Sequence, residues 1–333
     1  MSVSDVEIDR LFRAMSPASD LADRPSLSAA EIAIREGIIR GTFRRAPRRS
    51  RRGIVWAGVT TATAAMAVAV LVAVTVLTPS QPAMALTPPP LSYTAAPALA
   101  EVFADAQDAL QAPPDVEQES RVRSVAWGWN VDMGDKRVEI VPQEITFTWA
   151  PGETATSTII AGDSLWPDGN RPEGVEPSPY EPGEVIDTVV TPPEEFTLPP
   201  AAQELRGSSR EDLESALAVF GATPESSSGE LAAAIMGLFG YWTLNDEQHA
   251  TLLEILADAD GISVRGETND RLGRDVIGLQ MSSVIPERVE TLFVSVETGR
   301  IVGVESELVK SLDGLPTGVI LYTMWDADEA DSR

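Results

Sequence analysis

Residues Ile54–Leu77 (IVWAGVTTATAAMAVAVLVAVTVL) run for 24 positions without a charge, Pro, Asn or Gln. At 1.5 Å per residue a helix of that length reaches roughly 36 Å, enough to cross a hydrocarbon layer of about 30 Å. The sequence therefore predicts one transmembrane helix at 54–77. It is rich in Ala, Val and Thr, and so less apolar than a Leu-rich span.

The flanks set its direction. Arg44, Arg45, Arg48, Arg49, Arg51 and Arg52 precede the span, and the 20 residues after it contain no Lys or Arg. Arginine is hard to translocate and is held by anionic cytoplasmic lipid, so the N-terminus is expected inside the cell. Trp56 falls at the inner interface, where an indole ring prefers to lie. An Arg run can also mark nucleic-acid binding, but one abutting an apolar helix reads as a membrane stop. A cleaved signal peptide is the alternative, because Ala83-Met84-Ala85 forms an A-x-A triplet. Signal peptides have a short n-region and an h-region of 7–15 residues. Here 53 residues precede a 24-residue apolar run, so an uncleaved anchor is expected.

The charge divides at the same place. Residues 1–53 carry 11 basic and 7 acidic side chains, a net of +4, and the rest carries 14 and 44, a net of −30. So acidic a domain repels nucleic acid and anionic head groups. With no cysteine, disulfides, thiolate catalysis and Cys-based metal sites are excluded.

Four segments follow from this division: a basic cytoplasmic segment 1–53, the span 54–77, a Pro-rich spacer 78–94, and an acidic extracytoplasmic domain 95–333. Within residues 1–43, Val6–Ala14 and Ser28–Arg40 read as short helical pieces, which serve either as an element for a protein partner or as a loosely ordered tail. The spacer reads as semi-extended.

Pro97–Leu110 carries an amphipathic stripe of Leu99, Val102, Phe103, Ala106 and Leu110. Residues 121–161 then alternate at period two, predicting strands at Val122–Val131, Arg137–Val141, Glu144–Trp149 and Thr154–Ala161 in an antiparallel meander. The stretch 162–206 holds nine prolines and reads as a long excursion with one short strand at Val185–Val190. Capping-box pairs open three helices: Ser209 with Asp212, Ser227 with Glu230, and Asn245 with Gln248. Five strands follow, at Ile262–Glu267, Asp275–Met281, Val289–Val296, Arg300–Val309 and Val319–Trp325. The pattern is α+β: an antiparallel sheet covered by helices, behind a single N-terminal transmembrane helix.

Catalytic constellations are scarce. His249 is the single histidine and reads as a helix-surface residue, with no G-x-S-x-G elbow for it to serve. One histidine without cysteine cannot assemble a zinc site. Asp258-Ala-Asp260-Gly261 begins like a calcium loop, but Ser263 and Asn269 stand where its glycine and glutamate belong. No cofactor and no enzymatic activity are expected. The tryptophans suggest something else: Trp127, Trp129 and Trp149 lie on strands and form a candidate apolar face for a lipophilic ligand, or else plain core.

In layout the chain resembles a family of actinobacterial single-pass membrane proteins of unassigned function. The resemblance rests on the Arg-rich stop, the Ala/Val-rich helix and Thr87-Pro88-Pro89-Pro90-Leu91. Toward the C-terminus it rests on Leu252–Ile262 (LLEILADADGI), Asp270–Val276 (DRLGRDV) and Leu292–Gly303 (LFVSVETGRIVG). It spans most of residues 40–325 through short, non-catalytic motifs. At the level of architecture alone, the plan is similar to lipoprotein carriers and to envelope sensors that control anti-sigma factors, although residues 1–53 lack the His and Cys of zinc-type anti-sigma domains. The expectation is a non-enzymatic sensor or regulatory module that binds a ligand or partner. Two alternatives are a membrane-tethered carrier of a lipophilic molecule and a carboxylate-dependent hydrolase.

Overall fold

A computed structural model describes residues 87–326, apart from 113–116, 129–136, 167–170, 312–316 and the single positions 173, 197, 199, 206 and 284. The predicted span at 54–77, the six flanking arginines, Trp56, Trp129 and the whole of residues 1–43 lie outside the described residues. Among the described residues, no helix is long and apolar enough to cross a membrane.

The described chain is α+β. Helix α1 (Leu99–Ala109) leads into strands β1 (Arg121–Gly128), β2 (Arg137–Val138), β3 (Gln143–Thr148), β4 (Ala155–Ala161), β5 (Val175–Glu176) and β6 (Val185–Thr191). Helices α2 (Pro200–Gln203), α3 (Arg210–Val219), α4 (Ser228–Phe239) and α5 (Asp246–Ala257) come next. Strands β7 (Ile262–Asn269), β8 (Asp275–Ser282), β9 (Arg288–Ser295), β10 (Ile301–Leu308) and β11 (Gly318–Trp325) complete the fold.

Nine strands form one sheet in the order β6-β4-β3-β1-β11-β10-β9-β8-β7. Each neighbouring pair is antiparallel. The chain builds outward from β1 to the edge at β6, passes through the helices, restarts at the opposite edge with β7, and works back inward. Strand β11 then pairs with β1, Ser124 opposite Trp325 and Gly128 opposite Leu321.

One predicted strand falls elsewhere. Of Arg137–Val141 only β2 is extended, and it pairs in parallel with β5 outside the main sheet. Strand β1 therefore pairs directly with β3, Val122 opposite Phe147. Two features hold 139–142 away from the ladder: Pro142 has no N–H to donate, and Glu139 is buried against Arg171 of the excursion at 2.7 Å.

The three helix starts form as their sequences require. Ser209, Ser227 and Asn245 each accept from the backbone N–H three residues on, and Asp212, Glu230 and Gln248 reach back to close the boxes. Helix α4 is apolar nearly all round, burying Leu231, Ala232, Ala234, Ile235, Leu238 and Phe239. Such a helix belongs inside, and it packs on β8 and β9 with α3 against it.

Alternation along the strands divides the sheet into two faces. The helix face carries Val122, Leu279, Met281, Leu292, Val294, Ile301, Val304 and Trp325 in one core with the helices. The opposite face carries a second cluster of Trp127, Val276, Phe293, Val302, Val319, Tyr322 and Met324. Phe239, 2% exposed, joins α4 to the sheet by packing on Trp325 at 4.6 Å between ring centroids. Phe239→Ala is expected to lower the unfolding free energy by about 3–5 kcal/mol, read by denaturant titration.

Candidate functional site on the strap-covered face of the sheet

The second apolar cluster is roofed by the chain's own residues 87–94, the last part of the predicted spacer. They form a strap rather than a free linker. Pro88 is buried, and Leu91 and Tyr93 pack against the cluster. Prolines offer carbonyls but no N–H, and the sheet supplies matching donors. Arg271 donates through Nη1 to the Pro89 carbonyl (2.8 Å), and Thr268 donates through Oγ1 to the Ser92 carbonyl (2.9 Å). At the far end the Thr94 N–H donates to the Glu267 carbonyl at 2.9 Å.

Two glycines make the floor low enough. A Cβ on Gly266 would clash with the Thr94 carbonyl oxygen, and one on Gly278 would stand 2.9 Å from the Tyr93 ring. Gly266 also has φ +134°, a conformation side-chain-bearing residues rarely adopt.

Charge is placed in the groove in pairs. Arg265 sits over the Tyr93 ring at 4.5 Å, with Nη2 2.8 Å from Glu307 and Nη1 3.1 Å from the Thr291 hydroxyl. Arg271 bridges to Glu305 at 2.6 Å and lies 5.5 Å from the Tyr322 ring centroid. Each guanidinium thus covers an aromatic face and answers a carboxylate, which suits arginine's planar fork. Burial pushes the Glu305 carboxyl up, against the pull of Arg271. Burial likewise pushes the Tyr93 phenol up to about 12, with Arg265 opposing, and raises Tyr322 as well. The Tyr93 hydroxyl is buried and has no hydrogen-bond partner among the described residues.

Of the three tryptophans proposed as one ligand face, Trp129 lies outside the described residues, and Trp127 and Trp149 lie in different clusters. Trp127 lies on the strap face, stacked on Tyr322 at 6.1 Å, and donates through Nε1 to the Ile140 carbonyl at 2.9 Å. Trp149 lies in the helix-face core, 4.9 Å from Trp242 and 5.5 Å from Phe196, and donates to the Tyr241 carbonyl at 2.6 Å. Both indoles are packed against protein side chains. Parity within one strand says which residues share a face, but relating β1 to the end of β3 needs their register. The strap escaped sequence reading because Leu91 and Tyr93 are two isolated apolar residues among prolines and hydroxyls. That pair was the available signal.

His249 is not a surface residue. It is 1% exposed, its Nδ1 accepts from the Ile301 N–H at 3.1 Å, and its Nε2 has no partner among the described residues. It shares the stripe of Leu252, Leu253 and Leu256, so the face that buries the leucines buries the ring. Beside it Arg300 and Asp246 form a buried ion pair at 2.5 Å. A cleft of about 300 Å³ next to this pair is lined by Gln107, Leu110, Asp246, Glu247 and Ala250, among others. Asp258, at the start of the calcium-like stretch, pairs with Arg210 at 2.7 Å. No group of three or more metal-ligating side chains occurs among the described residues.

Burial, with Arg300 adding to it and Asp246 opposing, lowers the His249 pKa from 6.5 to about 3. The unfolded chain therefore takes up the proton first as the pH falls. Stability from the neutral ring is complete above pH 6.5 and declines by about 1.4 kcal/mol per pH unit toward pH 3. His249→Asn, whose Oδ1 stands where Nδ1 does and can still accept from the Ile301 N–H, is expected to flatten this decline. Denaturation curves at several pH values in that window measure the difference from wild type.

No protein-family model, no curated protein and no solved structure matches the chain.

Proposed function

We propose that the chain is a single-pass membrane protein, its N-terminus cytoplasmic and its α+β domain outside. The domain is a non-enzymatic module that binds a ligand or protein partner and regulates through residues 1–43. The observation that carries this reading is the strap. It is fixed to the sheet from Thr87 onward, and only nine residues (78–86) separate it from the end of the predicted span. Nine residues reach at most about 32 Å. The domain is thus held close to the bilayer by a segment that is itself part of its fold, and a change at the groove reaches the span through a short leash.

The charge distribution supports the same arrangement. Six arginines before the span favour retention inside, and the −30 that follows suits an aqueous exterior without nucleic-acid or anionic-lipid contact. A tethered carrier of a lipophilic molecule is the lesser reading, since Trp127 and Trp149 sit in packed clusters on opposite faces. A carboxylate hydrolase gains nothing from Glu305, whose charge is answered by Arg271.

The absence of cysteine makes orientation directly measurable. In intact cells a membrane-impermeant maleimide is expected to label Ser263→Cys, which is exposed on β7, and to leave Ser28→Cys unlabelled until the cells are opened. The opposite pattern would discard the orientation. Deletion of residues 1–43 is expected to abolish cytoplasmic interactions of the protein while leaving domain stability unchanged. Interactions that survive the deletion would remove the regulatory role of that segment.

A further inference from the structure

The strap fits its groove poorly at one atom. The Tyr93 hydroxyl is buried without a partner among the described residues, and an unpaired buried hydroxyl weakens the packing that its ring supplies. The remaining contacts address features common to many extended peptides. Arg271 and Thr268 donate to the carbonyls of Pro89 and Ser92, and the Glu267 carbonyl accepts from the Thr94 N–H. Gly266 and Gly278 leave room for a backbone and a ring. Arg265, at 4.5 Å, reads an aromatic face and makes no use of the hydroxyl.

We propose that this groove is a peptide-binding site which residues 87–94 occupy as an internal, improvable ligand. Its outside occupant is an extended, proline-containing segment of a partner protein, with phenylalanine where the strap has Tyr93. Proline suits the groove because it presents carbonyls in a preset extended form with no N–H left over. A second copy's strap would bring the same unpaired hydroxyl and gain nothing, so the partner is a different protein. This inference rests on the binding-module reading and gives it a partner class: the incoming segment displaces the strap and frees the leash next to the predicted span.

The test uses the full-length protein in detergent and two labelled nonapeptides, TPPPLSYTA (residues 87–95) and TPPPLSFTA, followed by fluorescence anisotropy. The Phe peptide is expected to bind wild type roughly tenfold more tightly than the Tyr peptide. In the Tyr93→Phe chain the internal strap has lost its unpaired hydroxyl. That chain is expected to melt higher and to bind the Phe peptide roughly tenfold more weakly than wild type does. Tyr93→Ser, which empties the ring site, should bind it more tightly, but the test does not depend on that variant folding well. Equal affinity of wild type and Tyr93→Phe for the Phe peptide would overturn the proposal, as would absence of binding to either. Preference for the Tyr peptide, or exchange of straps between copies seen as dimerisation, would overturn the partner assigned here. None of these readouts depends on membrane orientation or on residues 1–43, so the groove and the topology stand or fall separately.

Discussion

The pairing of β1 with β11 is the contact on which the rest of the molecule depends. It joins segments roughly 200 positions apart in sequence and fuses two meanders into one sheet. On one face it sets Trp127 opposite Tyr322, the aromatic floor on which Leu91 and Tyr93 rest. On the other it brings Trp325 beneath Phe239 and so seats the central helix. Without this seam each meander would present an open edge and an uncovered apolar side, and neither core would close.

Buried arginines stitch the pieces together inside an otherwise acidic molecule. Within the DRLGR segment, Arg274 pairs with Asp270 at 2.7 Å and also donates to the carbonyls of Val302 and Trp325. One side chain thereby ties the β7–β8 loop to β10 and β11. Within the TGR segment, Arg300 ties the β9–β10 turn to the start of α5 through Asp246. The arginines of these short motifs have structural work in this fold. A buried pair contributes little net stability when intact, but removing one partner strands a charge and costs several kcal/mol. The pairs therefore specify how loops and sheet meet more than they add to stability.

The sequence made local features legible and left long-range ones hidden. Capping boxes at Ser209, Ser227 and Asn245 located three helices, because caps are formed within four residues. Period-two alternation located the strands of the last quarter nearly to the residue, from Ile262 to Trp325. What failed were matters of register and partner. Arg137–Val141 alternates like a strand, yet Pro142 and the inward-facing Glu139 take it out of the ladder. His249 looked polar and solvent-facing, but helical spacing placed it on the leucine stripe, where it is buried. The strap was invisible because its affinity for the sheet resides in Arg265, Arg271, Gly266 and Gly278, more than 170 residues away in sequence.

That separation has a consequence for how the molecule comes into being. The chain is made N-terminus first, so Tyr93 emerges early, while Arg265, Gly266, Gly278 and Tyr322, against which the strap docks, are made in the final third. Strand β1 likewise waits for β11, the last element of the sheet. Pairings this distant in sequence are slow to form. Until β11 has been made, the strap has nowhere to dock and its apolar side chains are open to whatever else offers a groove. Docking of the strap is therefore a report that synthesis has passed β11 and that β11 has paired with β1.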